Sequence, residues 1–417
     1  MINITVPDCR GRFFVFGIVF CGKVCYNNYV YILLKGNSAM KKILSVILTM
    51  ALIISTASCE NNKQSAQTQQ IADFPTDTAV TTFAPDVSAE KPRTTVDTSD
   101  MSAAERALFE KGHIKEAVLS NAGSTDETKK LYDYICSVFG DKIISGQQES
   151  TWMGSEQYEF DYIYDKTGKY PAIRGLDYMN DDFAGVNRRA EEWYERGGIV
   201  TICWHCGCDF SGSWAESQKT EIKDWEKALT AGTPENDELL AGMDKGAAAL
   251  KELCDKGIPV IWRPFHEFDG AWFWWGKGGP DNFRKLWALM YDRYTNYHGL
   301  NNLIWVLGYS HNGVDMEKWY PGDEYVDIIG ADSYKKGANN SLYKRLRLLF
   351  GEESPICFHE CGTIPTTAEL AKDNTNWVWF MTWHTNYITD ENDTSVLKKI
   401  YNDDHVITLD ELPDLRI

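Results

Sequence analysis

The sequence predicts a (β/α)8 TIM barrel in the α/β class, and three observations lead there. Eight apolar, β-rich runs recur at residues 142–149, 171–178, 199–205, 258–267, 303–310, 326–334, 355–362 and 378–384. Helical stretches such as 188–196, 239–256, 282–297 and 342–350 separate them, and this alternation calls for parallel strands joined by helical crossovers. Nearly every run ends in a polar or aromatic residue, and active sites of such barrels lie at the C-terminal ends of the strands. A doubly wound open sheet is the competing arrangement, but no glycine-rich phosphate turn follows the first run.

Ahead of the barrel the chain falls into three parts. Residues 1–39 hold Cys9, Cys21 and Cys25, carry no recognisable fold signal, and read as an upstream extension from a mis-assigned start. Met40 begins a different pattern: Lys41 and Lys42, an apolar run over 43–54, then Thr56-Ala57-Ser58-Cys59. Residues 40–59 therefore resemble a bacterial lipoprotein signal peptide, with Cys59 as the lipidated first residue of the mature chain. A single membrane-spanning anchor is the alternative, but the run is short for a bilayer crossing. Residues 60–104 have the Asn, Gln, Ser, Thr and Pro content of a solvated linker. The expected location is the outside of the cell or its surface, with a lipid anchor as the one membrane contact.

The catalytic domain is expected over 105–417. Ser124-Thr-Asp-Glu127 looks like a capping box that opens a helix through Phe139, with Leu131, Tyr134, Ile135 and Val138 along one face. Composition narrows the partners. The formal net charge of -18 over 417 residues argues against nucleic acid, whose phosphates select Lys- and Arg-rich faces. An uncharged polysaccharide is compatible with it. All 15 tryptophans lie between Trp152 and Trp383, more indole than a core of this size needs. Apart from the three upstream cysteines and Cys59, seven remain, an odd number without the spacing of a disulfide scaffold. No cofactor is expected, and a monomer is.

The strand ends carry the chemistry. They offer Gln147, Glu149, Asp177, His205, His266, Glu267, Asp332, Tyr334, Glu360 and Trp383. Glu267 stands in Trp262-Arg-Pro-Phe-His-Glu267, followed by the indole cluster Trp272-Phe-Trp-Trp-Gly276. Glu360 ends another run, Ile356-Cys-Phe-His-Glu-Cys-Gly362. Two carboxyl groups from different strand ends among aromatic rings meet the needs of glycosidic bond hydrolysis: one proton donor and one nucleophile or base. Blander readings stand beside this one. Trp274 and Trp275 read as packing, and His359 as a structural residue pointing to the face opposite Glu360. Cys203-Trp-His-Cys-Gly-Cys208 could ligate zinc but lacks a second cysteine pair at zinc spacing. Arg263, a charge inside a strand, must be buried and paired, holding Glu360 or Asp177.

The set Arg263-Pro264-x-His266-Glu267, Trp272-Phe-Trp-Trp-Gly276, Asp332-Ser-Tyr334, Glu360 and Trp383 resembles glycoside hydrolase family 26, over the chain from about Asn121 to its end. That resemblance implies a barrel hydrolase with glutamates after strands four and seven, most commonly an endo-β-1,4-mannanase. It implies Glu267 as general acid/base and Glu360 as nucleophile. Tyr334 would bond the nucleophile, and Asp332 would support that strand end, both counted with Arg263 among residues serving the substrate site. His205 and His266 would bind the sugar that is cleaved, Trp383 would floor it, and Trp272 would shape the leaving-group side. His384, after Trp383, and the loops beyond the strands leave the outer subsites open. Within the family, action on mixed-linkage β-glucan or β-1,3-xylan is the alternative. From another class, a non-catalytic glycan-binding lipoprotein would keep the tryptophans without needing both glutamates.

Overall fold

The computed structural model describes residues 2–7, 13–18, 98–99 and 101–417. The chain divides into two units, Met1–Thr78 and Ala79–Ile417. In the first, Ile2–Pro7 pairs antiparallel with Phe13–Ile18, a ribbon that the sequence reading did not expect. The signal segment with Cys59 lies outside the described residues, as does most of the linker.

In the second unit eight parallel strands close into a barrel. They are β1 Ile143–Gln148, β2 Ile173–Asp177, β3 Ile199–Cys203, β4 Val260–Arg263, β5 Leu303–Tyr309, β6 Ile328–Ser333, β7 Ile356–Cys361 and β8 Trp379–Thr382. Each pairs with the next, and β8 returns to β1 with Trp379 opposite Ile144 and Thr382 opposite Gln147. All eight expected runs are therefore strands, trimmed at their ends. A short ninth strand, Val406–Ile407, lies against the start of β1.

The strands are buried almost throughout because each is covered on both faces. Ile144, Ile173, Ile199, Ile261, Ile304 and Ile328 sit near the starts of their strands and fill the lower bore with Cys357 and Trp379. Leu131, Tyr132 and Ile135 of helix Asp126–Val138 join that cluster and close the N-terminal mouth. The cap of this helix is Thr125, whose hydroxyl accepts from the N–H of Thr128, while Ser124 bonds back to Asn121; the expected Ser124–Glu127 box is thus replaced by a single cap one residue later. A further helix, Ala103–Glu110, starts inside the expected linker behind a Ser102–Glu105 capping box. A second, larger apolar cluster packs the outer faces of the strands against the helices. The expected helix at 282–297 is an α-helix, Gly279–Tyr291, running on into one π-helical stretch, Asp292–Tyr297.

Candidate active site

β4 ends at Arg263, four residues before Glu267, so the acid stands on a turn rather than on the strand. Phe265 and Glu267 both take positive φ, 50° and 53°. Such conformations are costly for non-glycine residues and persist where the surroundings fix them. Here the Glu267 N–H is tied to the Gly308 carbonyl of β5 at 2.7 Å. The Trp275 indole donates to the carbonyl of His266 at 2.7 Å, and the Trp272 indole donates to Oε2 of Glu267 at 2.9 Å. Trp274 and Trp275 are fully buried, in keeping with a packing role.

Glu360 reaches the same place through an irregularity. β6 and β7 are in register at Ala331 with Phe358, then at Asp332 with Glu360, so β7 bulges at His359. A bulge re-aims the side chains that follow it. His359 lies inside the bore, where its Nε2 meets Thr201 of the opposite strand β3 at 3.2 Å. The expected opposition of His359 and Glu360 is thus corrected: strict alternation fails at the bulge, and both face inward. His359 remains a buried structural residue.

Carboxylate oxygens of Glu267, Asp332 and Glu360 lie within 4.8 Å of one another. A single guanidinium serves this cluster. Arg263 donates from Nη1 to Asp332 at 2.7 Å and from Nη2 to Glu360 at 2.8 Å. It is wholly buried, as is Asp332, so these two act on Glu360 from below and do not face the cleft. The Tyr334 hydroxyl donates to the other oxygen of Glu360. Of the two partners expected for Arg263, Glu360 is right and Asp177 is not.

Asp177 belongs to His205. Its Oδ2 lies 2.6 Å from Nδ1 of the ring, and its Oδ1 accepts from the backbone N–H groups of His205 and Met179, each at 3.0 Å. The His205 and His266 rings meet edge to face at 4.6 Å, and Trp383 lies 6.1 Å from His205. Gln147 donates to the carbonyl of Trp383 at 3.2 Å and pins that strand end. Glu149 leaves the cleft: buried, it pairs with Arg174 at 2.6 Å and Arg189 at 2.8 Å. The cysteine–histidine stretch does not converge on one point. Cys203 lies with Asp177 and His205, whereas the Cys206 and Cys208 thiols turn to the carbonyls of Trp204 and Glu221. The seven cysteines of the described residues are free thiols.

The environments separate the titrating groups. Burial, and then the charge of Glu360, push the Glu267 carboxyl up to about 8, against the pull of Arg263. Burial and then Arg263 hold the His266 imidazole well below its ordinary range, so it is neutral. Burial alone would raise Asp177, but His205 and the two backbone donors outweigh it and hold the carboxyl low. The site thus pairs a protonated carboxylic acid with a carboxylate fixed by Arg263 and Tyr334. Such a pair can transfer a proton while attacking an electrophilic carbon.

Of the residues expected at the site, Glu267, Glu360, His205, His266, Trp272, Tyr334 and Trp383 come together at the C-terminal mouth, with Arg263 and Asp332 beneath. Asp177 and Gln147 were visible only as strand ends. Their hydrogen-bond roles depend on contacts between strands that spacing does not reveal.

The glycosyl hydrolase family 26 model matches residues 118–411. A mannan endo-1,4-beta-mannosidase of Thermothelomyces thermophilus is 37% identical over 315 residues, covering 70% of this chain and 63% of its own length. Mannan endo-1,4-beta-mannosidase B of a Piromyces species is 32% identical over 316 residues, 72% of this chain and 54% of its own length. The chain therefore spans between half and two thirds of these curated relatives. The crystal structure of a Podospora anserina GH26-CBM35 beta-(1,4)-mannanase superposes with a TM-score of 0.66 at 34% identity, covering 72% of this chain and 70% of that one. With these matches and the eight-stranded parallel barrel, the chain belongs to glycosyl hydrolase family 26.

Proposed function

We propose that this chain is a retaining endo-β-1,4-mannanase acting on mannan, galactomannan and glucomannan, with Glu267 as general acid/base and Glu360 as nucleophile. The observation that carries the reading is the contrast between two adjacent carboxyl groups, one raised to about 8 and the other held by Arg263 and Tyr334. Their oxygens approach within 4.8 Å, which suits direct attack better than the wider gap that leaves room for a water. The substrate is taken from the relatives, named for mannan.

In the first step a Glu360 oxygen bonds to the anomeric carbon as the glycosidic C–O bond breaks, and Glu267 gives its proton to the departing oxygen. Esterification removes the negative charge of Glu360, part of what holds the Glu267 proton on. Glu267 can then take a proton from water as that water attacks the same carbon and releases Glu360. His205 and the neutral His266 stand where the cleaved sugar would lie, with Trp383 against its apolar face. Ahead of the barrel, the 40–59 pattern supports a chain anchored at the cell surface by acyl groups on Cys59. Loss of labelled palmitate incorporation in Cys59→Ser checks that assignment.

The test of function is reducing-sugar release from galactomannan, glucomannan, mixed-linkage β-glucan and β-1,3-xylan. Release from the mannans, abolished in Glu267→Ala and in Glu360→Ala, supports the assignment. The anomer first formed, read by NMR, should keep the β configuration. Activity confined to the glucan or xylan moves the substrate, and no release from any polymer overturns the hydrolase reading.

A further inference from the structure

Trp383 leaves the barrel under three backbone restraints, and one of them comes from outside the cleft. Its N–H donates to the Cys361 carbonyl of β7 at 2.8 Å, and its carbonyl accepts from the Gln147 amide of β1 at 3.2 Å. The third restraint falls two residues on, where the Thr385 N–H donates to Oε1 of Glu159 at 2.9 Å. Glu159 belongs to helix Tyr158–Thr167, which connects β1 to β2 in the outer layer. The proposed chemistry does not use it.

A carboxyl group without exposure to water is costly unless its oxygens are fully engaged. Glu159 is wholly buried, and it stands in the first turn of its helix, where the positive end of the helix dipole favours it. Besides Thr385 it accepts from the Ser150 N–H at 3.0 Å and from the Ser150 hydroxyl at 2.6 Å. Ser150, also wholly buried, lies two residues beyond the end of β1. One side chain therefore spans the seam where the ring closes, between the exits of β1 and β8. The same helix holds the β8 loop a second time, through the Tyr162 hydroxyl, which donates to the Thr389 carbonyl at 3.2 Å.

A strained residue shows what the seam resists. Thr385 has φ 59° and ψ −126°, and positive φ in a β-branched residue is an outlier. Such a conformation persists only where its contacts over-determine it. Without Glu159 the Thr385 N–H loses its acceptor, and the peptide between His384 and Thr385 can turn back toward negative φ. That movement would begin one residue from Trp383.

Resting on the hydrolase reading above, we infer that Glu159 is a positioning residue: from the helix layer it fixes the exit of β8, and so the place of the Trp383 indole that floors the cleaved sugar. It touches no substrate. Its effect on turnover passes through Trp383, which separates it from a residue that only keeps the chain folded.

The experiment is a double-mutant cycle on the full-length enzyme, with whichever polymer it degrades. Glu159→Met matches the side chain in length and offers no oxygen. Its folded fraction, fixed by a denaturation curve, should lose roughly tenfold in kcat/KM, about 1.4 kcal/mol. In a Trp383→Ala background the same substitution should cost less than about twofold, because a floor that is gone cannot be displaced. Glu159→Gln, which keeps one acceptor, should lie between the wild type and Glu159→Met, and it carries the same cycle where Glu159→Met does not fold. Fluorotryptophan NMR reads the ring without turnover. The Trp383 signal, assigned by its loss in Trp383→Phe, should move in the Glu159 variant, while that of the fully buried Trp287 stays. Equal losses in both backgrounds, or an unmoved Trp383 signal in a folded variant, overturn the positioning role and leave the hydrolase reading standing. A wild type inactive on every polymer overturns both.

Discussion

The indole N–H of Trp272 points at Oε2 of Glu267, 2.9 Å away, and is the one side-chain hydrogen bond the acid receives among the described residues. A donor favours the ionised form and so works against burial, the main cause of the raised value near 8. In the proposed cycle Glu267 must be protonated at the start, so activity should fall as pH rises past about 8. In Trp272→Phe that descending limb should move to higher pH, with kcat/KM below the wild type. A pH–rate profile of both proteins checks this.

The same group affects stability. Between its ordinary carboxyl range and its folded value near 8, Glu267 holds more proton in the folded than in the unfolded chain. Its contribution is complete at low pH and is lost as pH rises through the folded value. Glu267→Gln, which cannot ionise, should therefore gain on the wild type between pH 5 and pH 8, by an amount on the order of a few kcal/mol. Urea unfolding at the two pH values would decide it, and a constant difference would argue against a raised Glu267.

Arg263 lies between two carboxylates with no exposure to water. Arg263→Ala should cost about 3–5 kcal/mol, because buried acids are left without a counter-charge. Arg263→Lys supplies one ammonium where a fork serves two acceptors, and should recover part of the stability but little of the activity. Denaturation midpoints and kcat, measured on both variants, separate the two effects.

Asp177 fixes one ring nitrogen of His205 at 2.6 Å, leaving Nε2 for the cleft. Asp177→Asn can return the opposite hydrogen-bond polarity. The expected result is a fall in kcat/KM of about 10–100-fold, since a hydrogen bond to a charged group contributes about 1.5–3 kcal/mol. Nitrogen-15 shifts of the His205 ring should report a changed tautomer. Normal shifts together with normal kinetics would reduce the pair to packing.

Glu149 directly follows β1 yet is bound to Arg174 and Arg189. Glu149→Ala should lower stability by about 3–5 kcal/mol while the folded fraction keeps its kcat. Activity per folded molecule, corrected by a denaturation curve, makes the distinction.

Much of this was readable before any coordinates. The alternation of apolar runs with helices located all eight strands, because parallel strands covered on both faces need continuous apolar residues. Glu267 and Glu360 stood out because they end two different runs of one barrel beside the indole cluster Trp272–Trp275, a combination that neither glutamate carries alone. The details that escaped share one cause. Alternation misplaced His359 because a bulge changes the count within a strand. Glu149 looked like Glu267 from the sequence, and only Arg174 and Arg189, from a neighbouring strand and a helix, set them apart. Arg263 could be assigned two partners, and the choice rested on which strands face each other across the bore.

The irregularity at His359 also sets a height. Regular alternation places inward side chains at Cys357 and His359, and the next at Cys361; the bulge brings Glu360 inward one residue above His359, a rise of about 3.3 Å. Deleting His359 would keep a glutamate in the bore but sink it by that distance, away from Tyr334 and below the level of Glu267. A one-residue gap at this point of β7 is therefore no neutral length change. When homologous sequences are aligned, it should count as loss of the proposed acid–nucleophile pair even where every glutamate appears to be present.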